Sequence, residues 1–161
     1  MTPNPPFIIA ANLHRSLTPA LEVTVMLNKI DIALVQEMPL NSNEEPIQLG
    51  HTNIIWTGNR PRAAIITNPA LNIIPTTILS DSDTAVAVLP TKRGKILLIS
   101  AYLDITQPVS DSTKTLQTAL EYAFERDYHV IAHIDANANH VSWGSRQSNS
   151  RGTQMLDFII N

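Results

Sequence analysis

The sequence predicts an α+β sandwich built as one domain. Short apolar runs rich in β-branched residues outnumber the amphipathic helical stretches. Tight turns between those runs outnumber long crossovers, which disfavours a doubly wound parallel sheet. The length of 161 residues suits one domain, at roughly 100–200 residues apiece.

The first run, Phe7-Ile8-Ile9-Ala10-Ala11-Asn12-Leu13, reads as a buried strand with Asn12 near its end, after a start stiffened by Pro3, Asn4, Pro5 and Pro6. Ser16 is placed to cap a helix from Leu17 to Asn28. Ile30 to Glu37 is apolar almost to its polar end, Gln36-Glu37, as in a strand covered on both faces. Pro39 to Pro46 is loop. Asn53–Thr57 and Arg62–Thr67 are short strands joined by Gly58-Asn59-Arg60-Pro61, and Pro69 and Pro75 interrupt residues 68–82. Thr84–Leu89 and Lys95–Leu103 flank the turn Pro90-Thr91-Lys92-Arg93-Gly94 as a hairpin. Asp111 or Ser112 is expected to cap the clearest helix, whose stripe is Leu116, Ala119, Leu120, Ala123 and Phe124. Tyr128–Asp135 is the last strand. Residues 136–149 are polar and irregular, and a helix opens at Ser150 with Met155, Phe158 and Ile159 on one side. No solenoid repeat, low-complexity tract or interdomain linker is visible.

Composition narrows the function classes. Hydrophobic residues make up 43% and charged residues 16%, enough apolar side chain for a core and too little charge for a disordered tail. The net charge of −3 excludes a uniformly basic protein but not a local basic groove. With no cysteine, there is no disulfide framework, thiol nucleophile or thiolate zinc site. Five glycines against eleven prolines leave no Walker loop, no Gly-x-Ser-x-Gly elbow and no Gly-x-Gly-x-x-Gly turn. The N-terminus has no cationic region before an apolar core, so the expected location is nuclear or cytoplasmic, with no membrane partner.

Several apolar strands end in groups that do chemistry. Asn12, Gln36-Glu37, Tyr102 and Asp135-Ala136-Asn137 place amide, carboxylate and phenol at the ends of rigid supports. Glu37 and Asp135 are hard oxygen donors suited to Mg²⁺ more than Zn²⁺. His129, His133 and Asp135 share strand parity, but a zinc site wants a third close nitrogen or sulfur, so histidine ligation is not expected. His14 and His51 read as surface residues, and Trp143 as a core-edge plug. Most of the arginines, among them Arg15, Arg60, Arg62, Arg146 and Arg151, read as solvated, with a subset free to line a phosphate groove.

In this order the motifs resemble the endonuclease/exonuclease/phosphatase superfamily, and within it the apurinic-like endonuclease domain of LINE-type (non-LTR) retrotransposons. The matching stretches are Asn12-Leu13-His14-Arg15-Ser16, Ile32 to Glu37, Arg62-Ala63-Ala64-Ile65, Ile99 to Asp104, Asp135 to Ser145, and Asn149-Ser150-Arg151-Gly152. The resemblance implies a four-layer α/β/β/α sandwich and a metal-dependent DNA endonuclease. Glu37, with Asn12 beside it, would hold Mg²⁺ or Mn²⁺. Asp135 would orient and help deprotonate the attacking water. Asn137 would hold the scissile phosphate and Tyr102 one of its oxygens, with Arg15, Asn139 and His140 as further substrate contacts. The product would be a nick ending in a 3′-hydroxyl, which in the family primes a reverse transcriptase carried on the same polyprotein.

The chain also departs from the family. Asn139 stands where a histidine is common, and Ile134 where glycine is usual. The late Ser-Asp-His motif is missing, and Asp157 has no histidine after it. Residues 1–161 are therefore expected to be a single domain truncated before its C-terminal motifs. The competing readings are an inactive relic or nucleic-acid-binding fragment, and a superfamily phosphodiesterase or phosphatase acting on a small substrate.

Overall fold

A computed structural model describes residues 6–26 and 30–161. The stiffened start at Pro3–Pro5 and the expected end of the first helix at Asn28 lie outside the described residues. Two four-stranded sheets stack face to face. The first has the order β1-β2-β4-β3, from β1 (Ile8–Asn12), β2 (Ile32–Gln36), β3 (Asn53–Ile55) and β4 (Ala63–Thr67). The second has the order β5-β6-β7-β8, from β5 (Ile74–Pro75), β6 (Thr84–Thr91), β7 (Gly94–Tyr102) and β8 (His129–Asp135). Helix α1 (Leu17–Met26) covers the outer face of the first sheet through Ala20 and Val23, and α3 (Lys114–Glu125) that of the second through Leu116, Ala119 and Ala123. The expected four layers are present. Among the described residues no helix is long and apolar enough to cross a membrane.

Strand parity explains the layering. Ile32, Leu34, Ala63, Ile65, Ala85, Ala87, Leu89 and Leu98 meet between the sheets, while alternate residues such as Val35, Ile66, Leu97 and Ile99 face the helices. Hairpin β6–β7 forms as expected, with Thr91 opposite Gly94. Each sheet also contains one parallel pair. β1 and β2 flank α1, and β7 and β8 flank the short α2 (Val109–Ser112) and α3. Parallel strands point their C-terminal ends the same way, so Asn12 lies level with Gln36, and Tyr102 with Asp135. Stacking the sheets brings both pairs to one rim.

Polar ties cross the sheet interface. Gln36 is fully buried and donates through Nε2 to Ser100 Oγ at 2.8 Å, while Ser100 donates to the Val35 carbonyl at 2.7 Å. Nearer the rim, Arg62 forks onto both oxygens of Asp83 at 2.6 Å and reaches Asp104 at 2.9 Å. Those carboxylates keep the guanidinium pKa well above its ordinary value. The backbone N–H and hydroxyl of Thr106, and then Arg62, hold the Asp104 carboxyl down to about 2.

Two local expectations are corrected, and one strand lies at an edge. Neither Asp111 nor Ser112 caps the long helix; the chain turns once as α2, and α3 starts after Thr113 without a side-chain cap. Phe124 continues the apolar stripe of α3 yet is 89% exposed. β8, apolar in sequence, lies at the open edge of its sheet with Val130 and Ile131 38% and 37% exposed.

Leu98→Ala is expected to destabilise the chain by about 2–5 kcal/mol and Phe124→Ala by about 0.5 kcal/mol or less, read by urea unfolding. Because the Asp104 pKa is lowered on folding, its contribution is present above its ordinary value near 3.8 and lost as pH falls towards about 2. Asp104→Asn is therefore expected to lower the melting temperature at pH 6, with the difference closing across that acid window. A difference constant down to pH 2 would contradict the assignment.

Candidate active site

Several residues near the rim where the parallel pairs end have a strained backbone. His14, Arg15, Glu37, Arg60 and Asn137 all have positive φ, between 49° and 55°. Side chains with a Cβ rarely adopt that region, and such residues gather where packing over-determines them. Here backbone bonds hold them. Glu37 N–H donates to the Arg62 carbonyl at 2.6 Å, and Arg15 N–H donates to the Glu37 carbonyl at 2.8 Å.

The expected residues converge. Asn12 Nδ2 donates to Asp135 Oδ2 at 2.6 Å, joining two residues 123 positions apart and on different sheets. Asn12 Oδ1 accepts the His14 N–H, and His14 Nδ1 lies 3.6 Å from Glu37 Oε2. Asp135 Oδ1 accepts the Asn137 N–H at 3.3 Å, while Asn137 Nδ2 donates to the Leu103 carbonyl. Leu103 N–H bonds in turn to the Asp135 carbonyl at 2.8 Å. Asn12, Glu37, Asp135 and Asn137 thus belong to one cluster built from both sheets, with Tyr102 level with Asp135 on the neighbouring strand.

Arg15, Asn139 and His140 are engaged otherwise. Arg15 Nη1 donates to the carbonyls of Met38 and Pro61, and burial lowers its pKa. The Asn139 backbone pairs with Asn149, leaving its side chain exposed. His140 Nδ1 accepts from Ser142 N–H at the start of a 3-10 turn over Val141–Trp143, and its ring tilts against Trp143. Trp143 is not the expected plug: it is 41% exposed and donates to the Ala138 carbonyl.

The Asn149-x-Arg151-Gly152 stretch anchors the loop that carries Asn137. Asn149 Oδ1 caps α4 (Ser150–Ile160) at Gly152 N–H and also accepts from Asn139 N–H. Gly152 lies so close that a Cβ there would sit 1.8 Å from the Asn139 carbonyl oxygen. Arg151, expected to be solvated, donates to the carbonyls of Leu103, Asp104, Gln107 and Ala136. Ile134, in the position where glycine is usual, packs towards the helical layer and not into the rim.

The donor set fits a hard divalent cation. Glu37 is a partly exposed carboxylate whose one ion-pair neighbour among the described residues is His14, and Asn12 offers an amide oxygen beside it. No three His, Cys, Asp or Glu side chains gather at a common point among the described residues. One carboxylate, an amide oxygen and solvent suit Mg²⁺, which keeps much of its water, and do not make a zinc set. His133 lies under the rim on the inner face of β8, and burial lowers its pKa. Its Nδ1 and Gln36 Oε1 are buried without a protein partner among the described residues.

Sequence reasoning missed three residues here. His14 approaches Glu37 closely, Arg62 ties the sheets together, and Arg151 is a hub for four carbonyls. Only their membership of the quoted motifs signalled them.

A sequence model of the family described as "Endonuclease-reverse transcriptase" matches residues 96–161. No curated protein matches the chain. Among solved structures, the endonuclease domain of TRAS1, a telomere-specific non-LTR retrotransposon, superposes with a TM-score of 0.78 at 24% identity, covering 96% of this chain and 69% of that one. The AP endonuclease LMAP from Leishmania major gives a TM-score of 0.55 at 13% identity, covering 91% of this chain and 59% of that one. An endonuclease/exonuclease/phosphatase family protein from Leptotrichia buccalis gives 0.52 at 15%, covering 93% of this chain and 71% of that one. The chain therefore has the endonuclease/exonuclease/phosphatase fold, and over residues 96–161 it carries the sequence pattern of the endonuclease–reverse transcriptase family.

Proposed function

We propose that the chain is a divalent-metal-dependent DNA endonuclease domain of a non-LTR retrotransposon, which hydrolyses one phosphodiester and leaves a 3′-hydroxyl. The observation that carries this reading is the 2.6 Å bond between Asn12 and Asp135, which gathers residues from both sheets into one polar rim beside Glu37. The family description over residues 96–161 and the fold of the TRAS1 domain support it.

In this reading Glu37 and Asn12 hold Mg²⁺ or Mn²⁺, which when bound neutralises charge building up on the phosphate and the leaving oxygen. Asp135 accepts a proton from the attacking water, and Asn12 Nδ2 keeps that carboxylate oriented. The water oxygen bonds to phosphorus as the P–O3′ bond breaks. Asn137 and Tyr102 hydrogen-bond the phosphate oxygens, where donors that strengthen as charge develops contribute most. The freed 3′-hydroxyl would prime a reverse transcriptase on the same polyprotein.

The open edge of β8 supports the expectation that residues 1–161 are part of a larger sandwich. Its apolar side chains stand exposed on both faces, and the matched TRAS1 domain is longer than this chain.

Supercoiled-plasmid nicking in Mg²⁺ tests the reading. Glu37→Ala and Asp135→Ala are each expected to slow nicking by roughly 100-fold or more. Undiminished nicking by both variants would remove the site assignment. Hydrolysis of nucleotides or inositol phosphates without nicking would favour a small-substrate phosphodiesterase, and metal-independent DNA binding alone a binding role.

A further inference from the structure

Arg62 sits where a phosphate-tracking arginine would be looked for, yet its hydrogen-bonding edges are already taken. Nε and Nη2 fork onto Asp83 at 2.6 Å, and Nη1 bonds Asp104 at 2.9 Å. Two carboxylates around one guanidinium leave no net positive charge to draw in a phosphate. Its planar face lies over the Tyr102 ring, with Cζ 4.7 Å from the ring centroid. The backbone of Arg62 takes part as well: its carbonyl accepts the Glu37 N–H, while the Asp83 carbonyl accepts the Tyr102 N–H at 2.8 Å. One residue therefore touches the backbone of Glu37 through its main chain and the second sheet's Tyr102 ring through its side chain.

We propose that Arg62 is a positioning residue that fixes the Tyr102 ring and aims its hydroxyl at the scissile phosphate, without contacting DNA itself. The inference rests on the reading of Tyr102 as a phosphate ligand. The planar guanidinium, itself held by the fork, packs on the ring face and restricts its orientation. Lysine cannot substitute, because a point-like ammonium cannot fork onto two carboxylates and lie flat on a ring at once.

The test is a double-mutant cycle with the intact chain. Arg62→Met and Tyr102→Phe are each expected to lower kcat for plasmid nicking about tenfold, with KM within about twofold and no further loss in the double variant. Arg62→Lys is expected to remain as slow as Arg62→Met. Multiplicative losses in the double variant, or a raised KM with kcat intact, would overturn the proposal, the latter by indicating a direct DNA contact. A second readout needs no turnover. With ¹³C-labelled tyrosine, a DNA duplex added in Ca²⁺ is expected to shift the Tyr102 signal in the native chain but not in Arg62→Met. Equal shifts in both would overturn the positioning role. No shift in the native chain would instead remove Tyr102 from the phosphate, which is a failure of the underlying reading. If Arg62→Met does not melt cooperatively, Asp83→Asn loosens the same fork and carries the same expectations.

Discussion

The hydrogen bond from Gln36 to Ser100 holds the two sheets in register. The surface around it is apolar, formed by Ile32, Leu34, Ile65 and Leu98, and apolar faces tolerate sliding. A buried amide does not, because a displaced Gln36 would lose its partner at a cost of about 1–3 kcal/mol. The bond continues into the backbone at Val35 and, through a longer contact, at His133. Each anchor lies just inside a site residue: Glu37 follows Gln36, Tyr102 lies two beyond Ser100, and Asp135 two beyond His133. Setting the seam therefore sets the rim.

The rim also carries conflict between local preference and global packing. Glu37 and Asn137 hold positive φ on residues with a Cβ, and strain of this kind costs on the order of 1 kcal/mol or more each. Backbone bonds to Arg62 and Asp135 oppose it. The loop bearing Asn137 would otherwise have only its own polar residues to support it. Asn149, Arg151 and Gly152 fasten it from α4, so that helix acts as a brace for the site more than as a core element. The Arg62 cluster braces the opposite side.

Much of this was legible in the residues. Period-two alternation and short apolar runs located the long strands, and polar groups at their ends located the rim, because strand ends in a stacked sheet are rigid and open to solvent. The limits are equally physical. Periodicity identified the stripe of α3 but not whether anything covers its far end, so Phe124 looked buried. The apolar run of β8 marked it as a strand, yet its burial depends on a neighbour that the alternation does not reveal. Arg62 finds Asp83 and Asp104 only through the stacking of two sheets, and Arg151 bonds carbonyls that carry no side-chain signature at all. Long-range partners of charged groups were the least readable feature of this chain.

Four separate segments meet at a single rim, and the proposed function requires that rim to bind a divalent cation. Paramagnetic broadening of backbone amides by Mn²⁺ measures this most directly. One focus of broadening is expected, over residues 12–14, 37–38, 102–104 and 135–137, and Glu37→Gln is expected to abolish it. Broadening centred on His129 and His133, or spread over the surface and indifferent to Glu37, would contradict it.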